Sequence, residues 1–134
     1  MITGYTTGVF DLYHVGHSRI IKRSRELCDF LIVGVSTDEL VLETKGVTPF
    51  IPFEERCEIL RDNRFVDKVV EQTTYNKIAA WQRFGFERMF VGSDWQGSPK
   101  WQAYETEFEP KGVEIVYLPY TEGTSSTQLR NRLT

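Results

Sequence analysis

The chain has 134 residues, of which 40% are hydrophobic and 26% charged, and a formal net charge of -3. That length suits one domain burying about two-thirds of the surface its unfolded chain exposes, and the composition is globular rather than disordered. The acidic balance and the lack of a lysine-rich run argue against a nucleic-acid partner, and the longest apolar run, Phe30 to Val35, is too short to span a bilayer.

The N-terminus "MITGYTTGVF" has no basic region followed by an apolar stretch, so no signal peptide is expected. Its Ile2 to Thr7 portion is β-branched and aromatic and reads as a strand. Val15 to Cys28 reads as a helix, with Ile20, Ile21, Leu27 and Cys28 toward one face. Asp29 to Thr37 is the continuous apolar run expected of a strand covered on both faces. Ser36 to Leu40 looks like a helix start, with capping residues ahead of acids. Leu42 to Pro52 contains Gly46, Pro49 and Pro52 and reads as a loop.

Pro52 to Asn63 suits a helix, with proline in its first turn, acids early and an arginine late. Val66 to Glu71 reads as a short strand, and Asn76 to Gly85 as a helix ended by glycine. Arg88 to Gly92 and Val113 to Pro119 read as strands flanking a helix over Lys100 to Phe108. Ser125 to Leu133 is a final helix with hydroxyl caps. Cys28 and Cys57 stand far apart outside any C-x-x-C pair, so free thiols in a reducing, cytoplasmic setting are expected.

Strands separated by helices make βαβ units. These predict a single α/β domain over residues 1–134, with a parallel sheet, helices on both faces and right-handed crossovers. Ligands bind such sheets beyond the carboxyl ends of the strands. The loops to watch are therefore Gly8 to His17, Gly92 to Gly97 and Tyr120 to Ser126.

The first of these loops, "GVFDLYHVGH", holds both histidines of the chain, His14 and His17. Gly8 suggests a tight turn and Gly16 leaves backbone open to a ligand. A helix starting near Val15 offers free N–H groups to a phosphate. Two imidazoles there suit nucleotidyl transfer, which needs positioning and charge stabilisation. Asp11, His14 and His17 also fit a metal triad, and a purely structural role fits as well. Thr121 to Thr127, "TEGTSST", is a second loop between strand and helix, with hydroxyls and a glycine suited to phosphate. Two such loops favour nucleotidyl transfer.

"GVFDLYHVGH" resembles the G-x-F-D-x-x-H-x-G-H motif of the cytidylyltransferases, within the HxGH nucleotidyltransferase superfamily. "YTEGTSST" resembles that family's R-T-E-G-I-S-T-T signature, and "VGSDWQG" and "PFEERCEILRDNRFVDKVVE", with its R-x-V-D-x-V-like element at Arg64 to Val69, fit too. The resemblance covers nearly the whole chain and is strongest to bacterial enzymes that use glycerol 3-phosphate. It implies a Rossmann-like fold, a homodimer and Mg²⁺. It also implies transfer of CMP from CTP to a small phosphorylated alcohol, for surface-polymer or phospholipid precursors. Phosphoethanolamine, phosphocholine, an unphosphorylated amine or amide, and ATP in place of CTP are the alternatives.

By the same resemblance, His14, His17, Lys45 and Arg64 are catalytic. Gly8, Val9, Phe10, Gly16, Asp94, Trp95, Thr121, Glu122, Gly123, Ser125, Ser126 and Thr127 line the nucleotide site with the histidines. Asp11, Lys45 and Lys77 face the acceptor. Tyr120 replaces the family's arginine in the nucleotide site, and Thr124 its isoleucine. The lysine loop carries one lysine where the family has two, so a less charged acceptor is expected.

Overall fold

The computed structural model describes residues 1–119 and 126–133, with the backbone alone at 126–128 and 133. Among the described residues the strands are β1 (Thr3–Gly8), β2 (Phe30–Ser36), β3 (Lys68–Gln72), β4 (Arg88–Gly92) and β5 (Glu114–Leu118). They form one parallel sheet in the order β3-β2-β1-β4-β5. The helices are α1 (Val15–Glu26), α2 (Asp38–Lys45), α3 (Phe53–Arg61), α4 (Lys77–Phe84), α5 (Pro99–Phe108) and α6 (Ser126–Leu133). None of the described helices is long and apolar enough to cross a membrane.

Strand β2 shows why its sequence is continuously apolar. Leu31, Val33 and Val35 pack with Ile21 of α1 and with Cys57 and Leu60 of α3. Ile32 faces the opposite side, in a cluster with Trp101 and Phe108 of α5. Helices therefore cover both faces, and each such buried side chain contributes about 1.5–3 kcal/mol relative to exposure. Cys28 and Cys57 are buried free thiols.

The elements follow the expected order with shifted ends. Helix α1 stops at Glu26, so Leu27 leaves the helical spacing and is 40% exposed; buried Ser24 takes its expected place on the core face. Helix α2 runs past the expected loop start at Leu42. The Thr37 hydroxyl caps it by accepting from the Leu40 N–H at 3.1 Å, and Gly46 ends it in the left-handed region at φ 75°. Pro52 occupies the cap position before α3 rather than its first turn.

The chain lays β2 and β3 on one side of β1 and then crosses to place β4 and β5 on the other. This makes β1 and β4 the switch point, where parallel sheets open a ligand crevice. Their register runs only through Gly4–Arg88 and Tyr5–Met89. Farther along, the Thr6 hydroxyl donates to the Phe90 carbonyl at 3.2 Å. A side chain thus replaces a ladder bond as the strands part toward their carboxyl ends.

Candidate active site

The turn from β1 into α1 is wound by side chains rather than by glycine. Gly8 lies at the end of β1, and an added Cβ there would sit 3.0 Å from the Phe10 ring. Its small size makes room for that ring, not for the tight turn expected at Gly8. The left-handed positions are Phe10 (φ 56°) and Leu12 (φ 51°), each costing about 1–3 kcal/mol of backbone strain. The Phe10 ring is buried in the core. Between these positions the Asp11 carboxylate, 1% exposed, accepts from the Phe50 and Ile51 N–H groups at 2.9 Å and from Arg130 Nη2 at 2.8 Å. Burial pushes this carboxyl up, but the two backbone donors and Arg130 outweigh it and hold Asp11 ionised below its ordinary range.

His14 caps α1. Its Nδ1 accepts from the Gly16 N–H at 3.0 Å, and His17 Nδ1 accepts from the His14 N–H at 3.3 Å, closing a reciprocal capping box. The rings stack with centroids 4.0 Å apart. A nitrogen that accepts from an N–H carries no proton, so both imidazoles carry theirs on Nε2. Burial lowers the pKa of both. His17 falls to about 4, through burial first and the neighbouring His14 second, against a smaller upward pull from Asp11. At neutral pH the pair is two uncharged Nε2–H donors at a helix N-terminus. That arrangement suits an anion.

This capping predicts an acid response. The unfolded histidine takes up a proton near 6.5, whereas His17 in the fold does so only near about 4. Between those values the unfolded chain holds more protons, so acid favours unfolding. Thermal melts should show a lower Tm at pH 5 than at pH 7.5, with the difference reduced in His17→Ala; an unchanged difference would remove His17 as its source.

One residue that frames this site was not singled out from the sequence. The Arg56 side chain is fully buried. Its Nε donates to the Ile51 carbonyl at 2.8 Å, and Nη1 to the carbonyls of Val9 at 2.7 Å and Ser36 at 2.8 Å. Its Nη2 meets Asp38 Oδ1 at 2.5 Å. One guanidinium thus joins the ends of β1 and β2, the start of α2 and the segment before α3. The Val9 carbonyl is thereby fixed in place, with one of its two lone pairs engaged by Arg56.

Two cavities lie along the carboxyl edge. The smaller, about 240 Å³, is lined by Phe10, Asp11, His17, Val41 and Arg130, together with Val9 and Lys45. The larger, about 440 Å³, runs from Gln72 across Thr7 and Gly8 to Gly92 and Trp95 and holds Lys77 and Lys100. Val9 and Lys45 line both, so they mark the junction. Lys45 is the exposed last residue of α2 rather than a loop residue. Lys77 is only 6% exposed, and its Nζ donates to Thr7 Oγ1 and Gln72 Oε1 at 3.2 Å each. Burial first, and the charge of Lys100 second, lower its pKa to about 8.

The structure therefore gathers Gly8, Val9, Phe10, Asp11, His17, Lys45, Lys77 and Trp95 at this edge, with His14 stacked beside His17 and Gly16 between them in the first turn of α1. It does not bring Arg64 there. Arg64 precedes β3, at the amino end of the sheet, where its guanidinium lies over the Phe65 ring at 4.8 Å. Asp67 pairs with Arg25 at 2.9 Å. Asp94 is exposed and turns back toward Gly92, while Trp95, 52% exposed, lines the cavity. Asp11, His14 and His17 form no metal triad: among the described residues no three His, Cys, Asp or Glu side chains converge on an ion. Tyr120, Thr121, Glu122, Gly123 and Ser125 lie outside the described residues. Ser126 and Thr127 open α6, with no side chain described. Arg130, also missed from the sequence, stands one turn beyond them.

Residues 5–132 match the Cytidylyltransferase-like family. The chain is 35% identical to the glycerol-3-phosphate cytidylyltransferase of Bacillus spizizenii, over 93% of this chain and 92% of that one. It is 33% identical to the Staphylococcus aureus enzyme of the same name, over 96% of this chain and 92% of that one. A solved structure, the lipopolysaccharide core biosynthesis protein of Thermoplasma volcanium, shares the fold. It superposes with a TM-score of 0.74 at 22% identity, covering 92% of this chain and 99% of that chain.

Proposed function

The chain belongs to the cytidylyltransferase-like family, and on that premise we propose that it transfers CMP from CTP to a small phosphorylated alcohol of the glycerol 3-phosphate type. The observation that carries this reading is the paired cavity: Val9 and Lys45 line both chambers, with His17 and Arg130 in one and Lys77 in the other. The triphosphate belongs against the N-terminus of α1, where backbone N–H groups and the positive end of the helix favour it. The acceptor phosphate belongs beside Lys77, with the reacting phosphorus near Lys45.

In this mechanism an oxygen of the acceptor phosphate attacks the α-phosphorus. The bond from that phosphorus to the β-phosphate oxygen breaks in line, and pyrophosphate leaves. The nucleophile is already an anion, so no base is required. The histidines act as Nε2–H donors to oxygens whose charge rises in the transition state. Lys45 and Arg130 supply fixed positive charge around the triphosphate. Mg²⁺, which the family resemblance implies, would enter with the triphosphate and would neutralise phosphate charge.

The family resemblance also supports a homodimer, which light scattering would test. The free thiols at Cys28 and Cys57 suit a reducing, cytoplasmic setting. Pyrophosphate release is the direct assay of the reaction. Release should require both CTP and glycerol 3-phosphate, and fall away with glycerol or ATP as substitutes. Equal release with glycerol would remove the phosphorylated acceptor, and release with ATP alone would overturn the base.

A further inference from the structure

We infer that Lys100 is an acceptor-binding residue, which together with Lys77 holds the phosphate of the incoming alcohol. The two lysines come from the first turns of α4 and α5. These helices pack on the same face of the sheet, through Ile78 and Trp81 of one and Trp101 and Phe108 of the other. The Lys77 N–H donates to the Tyr104 hydroxyl at 3.4 Å, which ties the start of α4 to the middle of α5. Lys77 and Lys100 then line the same cavity, and the charge of one is felt by the other.

The cavity contains Lys45 as well, and among the described residues no Asp or Glu lines it. Like charges gathered without a counter-ion repel one another. The arrangement suits a site that an anion enters. The nucleotide does not provide that anion at Lys100. Its charge lies in the triphosphate, assigned to α1, which packs with Leu31, Val33 and Val35 on the other face; cytidine itself is neutral. The acceptor phosphate is the remaining anion of the reaction. Lys77 spends two donors on Thr7 and Gln72, which leaves it one for that phosphate. Lys100 commits no donor to another described residue by hydrogen bond or ion pair. The single lysine at 45–46 therefore does not mean a weakly charged acceptor, because a cation from α5 restores the balance.

The inference rests on the proposed reaction and is tested on two levels. Initial rates should be measured with CTP and glycerol 3-phosphate varied independently, in wild type, Lys100→Gln and Lys100→Arg. Lys100→Gln should raise the acceptor KM at least tenfold and change the CTP KM less than twofold, with Lys100→Arg recovering most of the loss. A rise confined to the CTP KM, or no change in an active enzyme, overturns the assignment. Calorimetric titration of glycerol 3-phosphate provides a readout that needs no turnover. Lys100→Gln should bind it at least tenfold more weakly than wild type. Equal affinity, or no binding by wild type, overturns the inference, whereas binding without turnover in wild type defeats only the proposed reaction.

Discussion

Replacing His14 by Asn and His17 by Gln in one chain is expected to lower kcat for CMP transfer by about 100-fold or more, the range for loss of a preorganised donor to a developing oxyanion. The fold should survive. Asn is among the best residues at a helix N-cap, and Gln three residues later completes a capping box. Both hydrogen bonds now made by Nδ1, at 3.0 and 3.3 Å, therefore keep an acceptor. What the substitutions remove is the stacked pair of imidazole Nε2–H donors; the amide N–H₂ groups that replace them are directed differently. Circular dichroism melts should place Tm within a few degrees of wild type, and the CTP KM should move much less than kcat. His14→Ala and His17→Ala should lose activity too, but with a lower Tm, since each deletes half of the box. Near-normal kcat in His14→Ala and His17→Ala, which carry no side-chain donor, would confine the histidines to capping.

The second large effect is on stability. Arg56→Met should destabilise the fold by about 3–5 kcal/mol, the cost of removing one partner from a buried charge network. It would leave the carbonyls of Val9, Ser36 and Ile51 without their donor and Asp38 without its guanidinium. Arg56→Lys should recover little, because an ammonium has three N–H donors on one nitrogen and cannot reach the four acceptors that the three nitrogens of the planar fork now meet. Urea unfolding measures this directly: the midpoint should fall while the slope stays constant. A loss under about 1 kcal/mol, the net scale of one hydrogen bond, would mean that the four segments are held by something other than Arg56.

The sheet and its flanking helices were legible because apolar spacing reports burial. The run from Phe30 to Val35 is apolar at every position because β2 is covered on both faces. Arg56 gave no such signal. It stands among charged neighbours in "PFEERCEILR", and its partners are mostly backbone carbonyls remote in sequence. Lys77 was placed by resemblance, yet nothing in the spacing revealed that its amine is buried between Thr7 and Gln72. Lys100 depends on the approach of α4 and α5, a tertiary fact.

Arg64 was legible in principle. A residue just before a parallel strand lies at the sheet's amino end, away from loops that follow strands. The motif gave its residue type, and chain order excluded it from this edge. The turn at Gly8 was misread for a different reason: glycine suggests a left-handed residue, but Phe10 and Leu12 adopt that conformation instead, held by the Phe10 ring in the core and by Asp11.

The central claim is most directly tested by following phosphorus nuclear magnetic resonance of the chain mixed with CTP, glycerol 3-phosphate and Mg²⁺. The account predicts that CTP and glycerol 3-phosphate decline together while pyrophosphate and a diphosphate diester rise in equal amounts. Consumption of CTP with glycerol 3-phosphate untouched and no diester formed would contradict it.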